Sequence, residues 1–156
     1  MAELPAAPTP EHAGARSVEW MGVRYDILLT AAESGGSVGV FKDTVPPGEG
    51  PPLHLHQRED EVFHILEGRF RLWCGDRRWD VGPGETALLP RGVPHTYRNI
   101  GDGPGRKLVV VTPGGFEAMF GVAAERGLRL PEDVAAFAEL AGRRFGVELL
   151  GPPPQD

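Results

Sequence analysis

The chain has 156 residues and a mass of 16.8 kDa, a length for one domain and short for two. Its 38 glycines and prolines make up about a quarter of the residues, against roughly 12% in average proteins, yet they fall singly or in short clusters between apolar runs, as turns do in a β protein. The net charge is −6, and the fourteen Arg and two Lys are scattered, so no basic stripe exists for nucleic acid and nothing favours an anionic membrane surface.

Residues 1–16 are rich in Ala, Pro and polar side chains without any period, which predicts a flexible N-terminal arm; His12 within it receives no role. No basic segment followed by an apolar one opens the chain, and no apolar stretch approaches the ~18 residues that span a bilayer. The expectation is therefore a cytoplasmic protein without a signal peptide. From Val18 onward, short apolar runs follow one another at close spacing: Val18–Met21, Val23–Thr30, Val38–Val45, Leu53–His56, Val62–Leu66, Phe70–Trp73, Trp79–Val81, Thr86–Leu89, His95–Arg98 and Leu108–Thr112. Turn signals separate them, among them Ser34-Gly35-Gly36, Pro46-Pro47-Gly48 and Gly82-Pro83-Gly84. Strands at this spacing predict an antiparallel sandwich or barrel over residues 17–112. The single Cys74 lies in an apolar run and reads as a buried thiol, with no disulfide partner.

After Pro113-Gly114-Gly115 the period changes. Phe116, Met119, Phe120 and Ala123 recur at helical spacing and Gly127 stops the helix. A second helix starts at Pro131-Glu132-Asp133, with the stripe Val134, Phe137, Ala138 and Ala141 and an end at Gly146. Residues 113–150 thus read as a C-terminal helical segment with two short helices, and 151–156 as a Pro-rich tail.

The chemistry concentrates between positions 54 and 95. His54 and His56 are two apart in an extended run, so both rings leave the same face of one strand. Glu61 opens the next strand after the turn Gln57–Asp60, and His95 follows the loop Pro90-Arg91-Gly92-Val93-Pro94. Three imidazoles and a carboxylate brought to one point suit one divalent transition metal per chain, whether Fe, Mn, Co, Ni, Cu or Zn, and leave positions on an octahedral ion for substrate or oxygen. Strand parity puts Phe63 and Ile65 on the face of Glu61 and turns Val62, His64 and Leu66 away. Glu59 shares the inward parity and reads as a turn residue or a fallback ligand. Phosphate-loop and Ser-His-Asp patterns are absent.

Residues 48–68 read Gly48-x5-His54-x-His56-x4-Glu61-x6-Gly68, and residues 84–99 read Gly84-x5-Pro90-x-Gly92-x2-His95-x3-Asn99. This resembles the two motifs of the cupin superfamily at all ten fixed positions, with fifteen residues between them. The resemblance implies an all-β double-stranded β-helix, a small jelly-roll barrel holding the metal inside, with His54, His56, Glu61 and His95 as its ligands and Asn99 hydrogen-bonding within the barrel. The segments Thr112–Glu117 and Gly146–Pro152 are similar to small single-domain bacterial cupins of the quercetin 2,3-dioxygenase-like kind. That implies an oxygen-dependent dioxygenase acting on a flavonol-like or other phenolic or enolic small molecule, with Glu61 also taking the substrate proton as a catalytic base. Phe63, Ile65, Trp73, Phe116 and Phe120 are the expected pocket, and the Phe116 helix either closes the barrel mouth or packs on the outer sheet face. Two alternatives stay open. One is a non-redox cyclase, dehydratase or isomerase of the polyketide-tailoring kind, with the metal as Lewis acid; the other is a non-enzymatic small-molecule-binding module. Pairing through a half-apolar outer face predicts a homodimer.

Overall fold

A computed structural model describes residues 16–156. The expected arm, apart from Arg16, and His12 lie outside the described residues. Eleven strands form two antiparallel sheets. They are β1 (Arg16–Trp20), β2 (Val23–Leu29), β3 (Gly39–Val45), β4 (Leu53–His56), β5 (Asp60–Glu67), β6 (Phe70–Cys74), β7 (Arg77–Val81), β8 (Thr86–Leu89), β9 (His95–Asn99), β10 (Gly105–Thr112) and β11 (Val147–Gly151). One sheet runs β1-β2-β3-β10-β5-β8 and the other β11-β4-β9-β6-β7, the two walls of the double-stranded β-helix that the motifs implied.

The strands alternate as half-buried strands must. On β5, Glu61, Phe63 and Ile65 are buried while Val62 and His64 are only partly so and Leu66 is exposed. On β3 and β10 the buried sets are Phe41, Asp43, Val45 and Lys107, Val109, Val111. These inward faces meet Phe70, Leu72 and Tyr97 of the facing sheet to form the core.

Three helices decorate the barrel: α1 (Ala31–Ser34), α2 (Met119–Glu125), preceded by a 3-10 turn at Phe116–Ala118, and α3 (Val134–Phe145). The 3-10 turn and α2 turn Phe116, Met119 and Phe120 inward. There Phe120 stacks on Tyr25 at 3.7 Å between ring centroids, and both phenyl rings meet Phe41. The helix thus packs its rings against the inward-facing Tyr25 and Phe41 rather than on the outer sheet face. Helix α3 ends at Gly146, whose φ of 65° is the left-handed conformation that glycine enters without steric cost. Its buried stripe is Phe137, Leu140, Ala141 and Phe145, while Val134 is exposed, so the helical face sits about one turn later than the sequence stripe.

Two elements differ from the sequence reading. Helix α1 forms where a strand was expected to run into a turn. Strand β11 also forms inside the stretch expected to be helical: Val147, Glu148 and Leu149 pair with His56, Leu55 and His54 of β4. Among the described residues no helix is long and apolar enough to cross a membrane.

Candidate metal centre

The two sheets bring four donor side chains together. Strand β4 supplies His54 and His56, β9 supplies His95, and β5 of the opposite sheet supplies Glu61. One ligand atom from each lies within 4.8 Å of all the others. The rings crowd one point, with His54 and His95 4.6 Å apart and His56 and His95 stacked at 5.3 Å. The spacing of two in His54–His56 puts both rings on one face, and His54 lies directly across from His95 in the β4–β9 pairing.

Each ring is oriented from behind. His54 Nδ1 is 2.7 Å from the Pro52 carbonyl, His95 Nδ1 is 3.0 Å from the Val93 carbonyl, and His56 Nδ1 is 2.5 Å from Glu59 Oε1. With Nδ1 engaged by an acceptor in all three, Nε2 is the nitrogen that each ring turns to the centre. Glu61 Oε2 lies 2.8 Å from His95 Nε2 and 3.2 Å from His56 Nε2. His56 Nε2 is nonetheless buried without a hydrogen bond of proper geometry, an orphaned donor atom aimed at the cluster. Three imidazole Nε2 atoms and one carboxylate, with every outer nitrogen already engaged, fit a divalent metal by the chemistry of the donor set.

The electrostatics differ between the two rings of β4, and a metal ion would have to displace a proton from His56. Burial, reinforced by His95 and His56, pushes His54 down to about 3, a ring that stays neutral. At His56 burial also opposes the charged form, but Glu61 and Glu59 outweigh it and raise this ring to about 9. Burial would lift the Glu61 carboxyl, yet His56 and His95 hold it well below the usual carboxylate range. Glu61 is a carboxylate surrounded by imidazoles, the state a metal would inherit.

A cavity of about 710 Å³ opens from the cluster. His54 and Glu61 line one part of it, and Phe41, Phe63, Val109, Phe116 and Phe120 give it an apolar wall. The Phe116 ring stands edge-on to His56 at 4.4 Å, so the 3-10 turn shields that ring from water. Of the expected pocket residues, Phe63, Phe116 and Phe120 are in the wall. Ile65 and Trp73 are not, and the expectation for both is corrected. Ile65 is buried two positions beyond Phe63, in the packed part of the barrel. Trp73 has the opposite parity to buried Phe70 and Leu72, so it faces outward under the Arg98 guanidinium.

His64 faces outward as its parity required and bonds Thr86 Oγ1 at 2.8 Å. Asn99 is buried, donates to the Val45 and Gly103 carbonyls and accepts from Gly101 N. Burial pushes the Cys74 thiol up against the opposing pull of Arg77, which suits an inert thiol. Two features of the wall escaped the sequence reading. Trp20, held by its Nε1–H to the Leu128 carbonyl at 2.7 Å, lines the cavity from β1. Asp43 and Lys107 line it from β3 and β10, and the signal for them was a charge of each sign at an inward-facing parity.

Residues 41–111 match the family model described as "Cupin domain". The chain is similar to quercetin 2,3-dioxygenase of Bacillus subtilis, 31% identical over 75 residues, which is 46% of this chain and 22% of that protein. It is also similar to polyketide synthase CurC of Streptomyces cyaneus, 23% identical over 111 residues, 70% of this chain and 72% of that one. Among solved structures, a predicted oxalate decarboxylase from Thermotoga maritima superposes with a TM-score of 0.56 at 23% identity, over 58% of this chain and 80% of that one. The matches to the first curated relatives span between about a third and a half of those proteins' length.

Proposed function

We propose, from the premise that this chain is a cupin, that it is a metal-dependent enzyme in which His54, His56, Glu61 and His95 hold one divalent transition metal. We propose further that it is an oxygen-dependent dioxygenase acting on a phenolic or enolic small molecule. The observation that carries this reading is the convergence of three pre-oriented imidazoles and one carboxylate, from both sheets, at the end of an apolar cavity.

A metal bound there supplies a Lewis acid that stabilises an enolate or phenolate oxygen and, when the ion is redox-active, a route for electrons to O2. The chain's own residues do the rest. Phe41, Phe63 and Phe120 hold a planar ring by apolar contact. Phe116 keeps water from the cluster, which strengthens each charge interaction inside. Glu61, ionised beside His56 and His95, is a weak base, and it takes the substrate's hydroxyl proton on a carboxylate oxygen as general base because a bound metal would acidify that hydroxyl. The likeness to a quercetin 2,3-dioxygenase supports the choice of substrate class, and the longer likeness to CurC supports the non-redox alternative.

Oxygen uptake decides between them. Quercetin is added to protein reloaded separately with Fe, Mn, Co, Ni or Cu; uptake is expected with at least one metal and is lost in His54→Ala. Stoichiometric metal binding without uptake for any ion overturns the dioxygenase reading and favours Lewis-acid chemistry. Failure to bind metal overturns both.

The outer face of the six-stranded sheet exposes Leu66 and Leu88 beside half-buried Val62 and His64, and through it we propose a homodimer. Sedimentation velocity is expected to give a dimer that Leu88→Glu dissociates; a monodisperse wild-type monomer overturns it.

A further inference from the structure

The barrel interior holds a second polar group, away from the metal cluster, that the proposed chemistry does not use. Asp43 and Lys107 are direct cross-strand partners on β3 and β10, both at inward positions. Lys107 is fully buried and its Nζ forms an ion pair with Asp43 Oδ2. The same ammonium sits over the rings of Tyr97, Phe63 and Phe70 at 3.6, 4.9 and 5.3 Å, an aromatic box that engages its charge. Tyr97 Oη lies 3.5 Å from the same Asp43 oxygen as a weak donor. Lys107 Nζ thus has both an anion and aromatic faces for its charge. Asp43 Oδ1, by contrast, is buried with no hydrogen-bond partner among the described residues.

Asp43, Lys107 and Tyr97 line the same cavity as His54 and Glu61. Val111 is level with Glu61 across the β10–β5 pairing, and Lys107 lies four residues back along β10, about 13 Å at the backbone by strand rise. One cavity thus joins a cluster suited to metal at one level with an acceptor lacking a donor at another, and aromatic side chains lie between.

We propose that Asp43 Oδ1 accepts a hydrogen bond from a hydroxyl at the far end of the substrate, which makes the preferred ligand an extended planar phenol with one end at the metal cluster and a neutral donor at the other. This deepens the phenolic reading above and rests on it. A neutral donor is required because the pair already balances its own charge. An anionic substituent would face Asp43 and Glu61, and a cationic one would face Lys107. A pair serving only to fasten β3 to β10 would not distinguish ligands that differ in that hydroxyl alone, which gives the test.

Binding is measured without oxygen, on the full metal-loaded chain, by quenching of tryptophan fluorescence with 3,4′-dihydroxyflavone and with 3-hydroxyflavone. The two share the chelating hydroxy-ketone and differ only in the 4′-hydroxyl at the far end. Wild type is expected to prefer the 4′-hydroxyl compound by about ten- to a hundredfold, the range for a hydrogen bond to a charged group. The double variant Asp43→Leu/Lys107→Met removes both charges and keeps the volume apolar, a replacement that buried ion pairs tolerate. It is expected to bind metal and 3-hydroxyflavone as wild type does, with the preference reduced to about one. An undiminished preference in a folded double variant overturns the inference. Should that variant not fold, equal affinities of wild type for the two flavonols overturn it by themselves. If metal-loaded wild type binds neither flavonol, the phenolic reading fails first and takes this inference with it.

Discussion

Glu59 shows how a single residue outside the four donors can govern the cluster. It is buried, its Oε1 is 2.5 Å from His56 Nδ1, and it fixes which nitrogen of that ring faces the centre. The sequence placed it on the correct face, two positions before Glu61, but parity alone cannot separate a ligand from a residue that orients one; only the distance to Nδ1 does. Glu59→Gln leaves the four donors in place and removes the charged acceptor. Nickel or cobalt affinity, measured by titration of metal-free protein, is expected to fall about 10–100-fold. Asp60→Asn, next in sequence, keeps an Oδ1 acceptor for the Arg91 backbone N–H while weakening the exposed pair with the Arg91 guanidinium, and it is expected to leave metal affinity unchanged, although both variants remove one acid. Equal losses in the two would show that net charge, not ring orientation, sets the affinity. Lys107 was illegible for a related reason. The sequence reading began its strand at Leu108, whereas β10 begins at Gly105. A lysine looks like a turn residue until its neighbours Val109 and Val111 put it on the inward face.

At the level of elements, α1 was written in the sequence but is too short to show a period. Thr30 and Glu33 form a capping box: Glu33 N donates to Thr30 Oγ1, and Thr30 N donates to Glu33 Oε2 at 2.8 Å. The same carboxylate accepts from Arg16 at 3.1 Å and so ties α1 to β1. The backbone hydrogen bond from Thr30 and then that from Arg16 lower the Glu33 carboxyl from 4.5 to about 2, against a small opposing effect of burial. A depressed carboxylate contributes stability above its unfolded value and loses it as pH falls through the folded one. Glu33→Gln should therefore melt below wild type at neutral pH, with the gap narrowing from about pH 4.5 and closing near pH 2; a gap that persists in acid would point to packing instead. The same corner explains a glycine. A Cβ on Gly39 would lie 2.2 Å from Glu117 Oε2 and 3.0 Å from Val111 Cγ2. Glu117 is buried and accepts from Ala31 N and Gly115 N, both at 2.6 Å, so it has no room to withdraw. Gly39→Ala is expected to lower the melting temperature by several degrees, as a clash of about 1–3 kcal/mol would.

Across the whole molecule, the motifs made the barrel and its four converging donors legible because they are local: two turns, two strand starts and a fixed parity. What holds the donors in place is not local. Strand β4, with two of the three imidazoles, shares a single register pair with β9, His54 with His95. Its other neighbour is β11, more than ninety residues away in the chain, where Val147 faces His56 and Leu149 faces His54. Nothing in residues 147–151 announces a strand, because five residues after a helix stop have no period to read, and their partner is known only once the chain has folded back. The consequence is that the C-terminal strand clamps the histidine pair. Leu149→Pro removes a backbone donor from β11 opposite His54 and disfavours the strand. Because the other sheet, with Glu61, does not pair with β11, the barrel should survive with a modest loss of thermal stability while metal binding weakens disproportionately, by at least about tenfold if loosened ligands cost what a lost orienting contact does. Circular dichroism melting and metal titration on the same preparation separate the two effects. Metal affinity unchanged in a folded Leu149→Pro would mean that the β9 pair and the Pro52 carbonyl at His54, with Glu59 at His56, suffice to hold the two rings, and that β11 only covers the sheet edge.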